Sequence, residues 1–288
     1  MHVSLDSALG RQRRLNSVGE SVLQIAPNAA AAYSLRSLTG GDPKVVRVRR
    51  DTDGGAGDND EQDFTASGIS SGALVAFVGS GNDGFVETWY DQSGNSNDAV
   101  QATAAEQPKI VNAGSLLADG IEFDGSDDTL TAASVSGFGA TISMFEASVR
   151  DGGGAAVVSM GSSASTANTN FGLVEAGSNT QASVRNTTSR TVNASVSGET
   201  RLGFAVTTGQ TSTKVGALGG TLVETTDDYG DDFTSGELDT IFIGKLRAGS
   251  GSSFNGHIRE ALIYTTDQSS NRGAVETNIA NHYNITLV

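Results

Sequence analysis

The 288-residue sequence has no cysteine, three histidines and three prolines. The missing cysteine excludes a disulfide scaffold, a thiolate-held zinc or iron–sulfur centre and a thiol nucleophile. His2, His257 and His282 are too few for a multi-histidine metal site, and two of them lie near the chain ends. No apolar run is long enough to cross a membrane as a helix, so no membrane insertion is expected. The stretch after Met1, HVSLDSALGRQRRLNSVGESVLQIAP, lacks an unbroken apolar core and carries its arginines in the middle, so no cleaved Sec signal is expected. Positive charge is also scarce: 18 Lys and Arg stand against 33 Asp and Glu, a formal net charge of −15. What there is gathers early. Residues 1–50 hold eight basic residues against three acidic ones, which leaves the remainder strongly acidic. Such a body repels phosphate backbones, so nucleic acid is not an expected partner.

What the chain does have is 37 glycines and a long series of short apolar segments separated by Gly, Asn, Asp and Ser. Residues 1–28 form a polar, partly basic lead with scattered apolar residues, read as an arm or adaptor. The alanine-rich 29–37 run predicts a short helix stopped by Gly40, Gly41 and Pro43. KVVRVRR at 44–50 alternates like a half-buried strand, and DTDGGAGDNDEQD at 51–63 reads as an exposed acidic loop. SGALVAFVG at 71–79 suits one or two helical turns, and FVETWY at 85–90 a strand. DQSGNSND at 91–98 is dense in turn formers and predicts a tight, ordered loop. After Pro108, about ten short strands follow, from GIEFDG to GHIREALIY. The ending places Val275, Ile279 and Tyr283 at helical spacing, as in a helix packed on a sheet. This pattern predicts an all-β fold, an antiparallel β-sandwich or jelly roll, with an N-terminal arm (1–28) and a body (29–288) closed by a C-terminal helix.

Several segments together resemble a known family: TWYDQSGNSNDAVQAT at 88–103, QPKIV at 107–111, GIEFDGSDDTL at 120–130, AAYSLR at 31–36, VRVRR at 46–50 and the GHIREALIY ending. They resemble the catalytic domain of α-L-arabinofuranosidase B, which implies a concanavalin A-like jelly roll across about 30–288. Related modules also occur in phage and prophage structural proteins. The family's chemistry uses two carboxylates, a Glu nucleophile and an Asp acid/base. The nearest match to the first is Glu175 in FGLVEAGSN, without the family's flanking Asp or following Asn pair. The turn after IFIG reads Lys245-Leu246-Arg247, with no carboxylate, and the family's vicinal cysteine pair is missing. No catalytic residue is therefore assigned.

Trp89 and Tyr90, with Asp91, Gln92, Asn95 and Asn97, are candidate glycan contacts, since an aromatic face packs on a sugar ring while amides and carboxylates bond its hydroxyls. The competing reading makes the two aromatics core and the loop side chains caps of their own backbone, and it is the preferred one. The acidic sets Asp51, Asp53, Asp58, Asp60, Asp63 and Asp227, Asp228, Asp231, Asp232 invite a calcium reading but lack EF-hand spacing, so no metal or other cofactor is assigned. GSGNDG at 79–84 is not a phosphate loop. His257 reads as a structural histidine in a strand and His282 as a surface residue. Asn186, Asn193 and Asn284 lie in sequons that carry little weight without a secretory signal.

The expectation is a non-enzymatic bacteriophage virion protein, a head-decoration, fibre or tail-associated component and a homo-oligomer. Its arm would dock on capsid or tail proteins through Arg11, Arg13, Arg14, Leu15, Val18, Val22 and Leu23. The alternatives are an arabinofuranosidase-type glycoside hydrolase and a glycan-binding lectin module for host attachment.

Overall fold

The computed structural model describes residues 19–52, 60–163, 169–247 and 253–288. Arg11, Arg13, Arg14, Leu15 and Val18 therefore lie outside the described residues. Every strand pairing among the described residues is antiparallel. One layer centres on Asn255–Tyr264, which pairs with Ala31–Ser34, Ile121–Asp124 and Thr141–Gly152. From there the layer continues through Thr200–Thr208, Thr213–Ala217 and Val223–Thr225. The other runs Leu130–Ala133, Thr240–Ile243, Gly154–Gly161, Asn170–Ala176, Asn179–Arg185 and Ser189–Ser195. Lys44–Asp51, Glu61–Thr65, Asp83–Trp89, Ala99–Val100 and Lys109–Asn112 join the layers at one side. The antiparallel sandwich read from the sequence is the observed architecture.

Residue type explains which faces are covered. In Thr141–Gly152, Ile142 and Met144 enter the core between the layers, while Phe145 and Ala147 enter a second core on the outer face. Phe145 pairs with Phe204 in the ladder, ring centroids 4.7 Å apart. The C-terminal helix Arg272–Tyr283 covers this outer cluster with Val275 and Ile279. Both faces of the central strands are thus buried, and their apolar runs are nearly continuous.

Three expectations change. The alanine run is not a helix: Ala31–Ser34 is a strand, fully buried and bonded to residues 260–263. So short a run cannot nucleate a helix, whereas the edge of a ready strand satisfies its backbone groups at once. The acidic loop ends early, because Glu61–Thr65 pairs with the Lys44–Asp51 strand. The described residues hold 19 strands, 14 of them after Pro108 where about ten were expected; the extra ones include a piece as short as Ser115–Leu116.

The lead segment changes too. Val22 and Leu23, expected to face a partner, sit in the short helix Val22–Ile25 on the chain's own second core. Val22 is completely buried there, and Tyr264 donates its hydroxyl to the Ala26 carbonyl at 3.0 Å.

Candidate functional site

The 91–98 loop is built on one carboxylate. Asp91 Oδ1 accepts from the backbone N–H of Ala32 (2.9 Å) and of Ser93 (2.8 Å). Its Oδ2 accepts from Ser93 Oγ (2.7 Å) and from the Asn97 N–H (3.1 Å). Gly94 and Ser96 take left-handed backbone angles, φ 91° and 60°, which the tight reversal requires. Buried Gln92 donates to the carbonyls of Ser34 and Arg36 and accepts from the Leu38 N–H at 2.8 Å. Asn95 and Asn97 donate their side-chain amides to the carbonyls of Ala29 and Ala30. The loop is a clasp on the 29–38 segment.

Trp89 is completely buried beside Tyr33, ring centroids 5.8 Å apart, so it offers no face to a sugar and the glycan-platform assignment for it falls. Tyr90 is half-buried and donates its hydroxyl to Asp63 Oδ1 at 2.7 Å. The polar atoms of Asp91 and Gln92 are engaged within the clasp, Asp91 by three backbone N–H groups and Ser93 Oγ and Gln92 by backbone groups alone. Asn95 and Asn97 differ, because they line a polar cavity of about 530 Å³ together with Asn28, Ser93, Ser134, Ser136 and Thr265. Sequence reading missed those last partners because they come from separate segments.

The residues nearest the family's catalytic pair are arranged otherwise. Glu175 points into the sandwich, fully buried, with Oε2 2.6 Å from Arg201 Nε. Arg201, itself 1% exposed, donates further to the carbonyls of Gly177 and Gly198. Glu146 lies fully buried beside this pair. Burial raises both carboxyls, and repulsion from Glu146 adds to the rise at Glu175. At Lys245-Leu246 the two carbonyls accept from Ser159 Oγ at 2.9 and 2.6 Å, which ties that turn to the sheet.

The acidic sets scatter. Asp63 binds Lys44 Nζ (2.6 Å) and Arg47 Nε (2.8 Å), which hold it well below the usual carboxylate range. Asp60 pairs with Arg50, and Asp228 and Asp232 accept backbone N–H groups of turns. Asp53 and Asp58 lie outside the described residues. A set not foreseen does converge: carboxylate oxygens of Asp124, Asp127 and Asp128 lie within 4.8 Å of one another, and burial pushes Asp128 up to about 6. His257 Nε2 lies 3.4 Å from Asp151, and exposed His282 packs edge-on to Tyr283. His282 also borders a second cavity of about 630 Å³, with Leu116, Leu117, Arg259 and Tyr283 in its walls.

No protein-family model matches the chain, and no curated protein matches its sequence. Solved structures do match. One is a glutamate-to-glutamine mutant of a GH54 α-L-arabinofuranosidase soaked with 4-nitrophenyl α-L-arabinofuranoside, with a TM-score of 0.65 and 12% identity. Another is an arabinofuranosidase complexed with arabinofuranosyl-α-1,2-xylobiose, with a TM-score of 0.62 and 13% identity. Each match covers 90% of this chain and 64% of the other, so the chain spans somewhat under two thirds of their length. A Trypanosoma rangeli sialidase in complex with 2,3-difluorosialic acid matches at a TM-score of 0.50 and 12% identity, over 69% of this chain and 32% of the sialidase. At such identities the likeness is one of fold.

Proposed function

We propose that this chain is a non-catalytic jelly-roll body serving as a structural component of a larger particle, the bacteriophage virion surface being the setting that its sequence resemblance suggests. One observation carries the non-catalytic half of this reading. Glu175, the residue nearest a glycosidase nucleophile, is turned into the sandwich and bound to Arg201. A retaining glycosidase needs two carboxyl groups about 5–5.5 Å apart with the sugar bond between them. A carboxylate held in the core against a guanidinium cannot attack a bound sugar. The Lys245-Leu246-Arg247 turn offers no carboxyl to serve as the acid, and losing general acid catalysis alone costs a factor of roughly 10² to 10⁴.

Incubating the purified protein with 4-nitrophenyl α-L-arabinofuranoside should release no nitrophenol above the buffer rate, with Glu175→Gln indistinguishable from it. Turnover abolished by Glu175→Gln would restore the hydrolase reading. For the particle, antibodies raised against the body should label intact virions of the phage that encodes it. Antigen found only in the soluble lysate would overturn that assignment.

A further inference from the structure

We infer that the polar cavity beside the 91–98 clasp is a binding site for an uncharged, polyhydroxylated ligand, a neutral oligosaccharide. The inference does not depend on the particle assignment above. It follows from what the clasp leaves unused. The side-chain nitrogens of Asn95 and Asn97 donate to the carbonyls of Ala29 and Ala30 at 2.8 Å. Because carbonyl oxygens accept only from the nitrogen end of an amide, these bonds fix which way both amides point. Their Oδ1 atoms accept no hydrogen bond among the described residues, which leaves two acceptors on residues that line the cavity.

Across the cavity, Asn28, Ser134, Ser136 and Thr265 make no side-chain hydrogen bond among the described residues. Three hydroxyls and an amide are therefore free to donate or accept. Among the described residues no charged side chain lines the cavity. The clasp's own carboxylate, Asp91, is consumed by four donors. An anion would find fixed acceptors and no cation in the lining, and a cation would find no carboxylate there. A polyol both donates to the Asn oxygens and accepts from the hydroxyls. The volume, about 530 Å³, falls within the ~300–1,000 Å³ typical of ligand clefts. The clasp also fixes the two acceptors in advance, which lowers the entropy cost of binding. With no aromatic ring in the wall, binding is weak and suits a surface carrying many copies.

The test is an amide-resolved NMR titration of the full chain with xylotriose, with maltotriose and, as an anionic control, with sialyllactose. A neutral trisaccharide at millimolar concentration should shift the amides of 93–97 and 134–137. The double variant Ser136→Ala with Thr265→Val, which leaves the clasp untouched, should bind about tenfold more weakly with an unchanged melting temperature, as expected for two lost hydrogen bonds. No shifts with either neutral sugar at tens of millimolar, shifts confined to another face, or tighter binding of sialyllactose would each overturn the inference. So would unchanged affinity in the double variant.

Discussion

Glu146 and Gly203 are partners in the register of their two strands, and a Cβ at Gly203 would stand 2.7 Å from Glu146 Oε1. Glycine leaves the carboxylate its room, but no group among the described residues closes a hydrogen bond on it. Both Glu146 oxygens, Glu175 Oε1, Ser148 Oγ and Thr180 Oγ1 are buried without a hydrogen bond. Glu146 is faced by Ser148, Glu175, Arg201 and the Gly203 backbone, Thr180 lies against Glu175, and Arg201 supplies one positive charge for two carboxyls.

Stability should therefore fall as pH rises through the acidic range. Folded, Glu146 is pushed up to about 7 from an ordinary 4.5, and Glu175 is raised as well, burial being the main cause for both. The native state holds protons that the unfolded chain has already released, so stability declines between about pH 4.5 and 7. Glu146→Gln, neutral at every pH, should melt higher than the parent at pH 8 and show a flatter profile over that window. A parent melting temperature that climbs from pH 5 to 7 would contradict this.

Trp89 anchors the joint between the layers. Trp89→Ala should cost about 3–5 kcal/mol in urea unfolding, the range for emptying a large core site. Trp89→Phe should cost markedly less, since the indole Nε1 is buried without a partner and its removal carries no hydrogen-bond penalty. Equal costs for the two variants would mean that the indole nitrogen is satisfied.

Asp91→Asn tests the clasp. Its carboxylate faces four donors, and an amide would turn an NH₂ group toward two of them. We expect a loss of about 1–3 kcal/mol and faster hydrogen exchange at Ala32, Ser93 and Asn97. Unchanged protection at these amides would show that the loop holds without the carboxylate.

Val22 tests where the lead segment belongs. Its completely buried side chain packs with Phe204, Leu262 and Ile279. Val22→Ala should lower stability by about 1.5–3 kcal/mol, the worth of a buried apolar side chain of this size. A body starting at Ala29 should melt well below the full chain. An unchanged melting temperature in both would return this segment to a purely external role.

What the sequence disclosed followed the strength of its local signals. The alternation in Lys44–Asp51 and the turn formers around Gly94 were enough, because each records a local backbone requirement. Ser189–Ser195 was not read as a strand because it buries only Val192 and Ala194 and leaves the rest polar. Ala31–Ser34 misled because helix propensity is weaker than the pairing offered by a distant strand. The polar cavity draws on residues 28, 95, 97, 134, 136 and 265, and the Glu146–Glu175–Arg201 cluster on three strands. No spacing along the chain records such meetings.

Ala31–Ser34 bonds to Asn255–Tyr264, a strand near the opposite end of the sequence. During synthesis the first of these strands leaves the ribosome long before its neighbour exists, with its buried alanines and Tyr33 uncovered. Closing so long a loop costs entropy before any contact repays it, which places this fold among the slow folders. Until the last strand arrives, the Ala31–Ser34 segment is an unpaired apolar edge, open to pairing with other nascent chains. Yield of this protein should depend on synthesis rate and chaperone supply more than the stability of the finished sandwich would suggest.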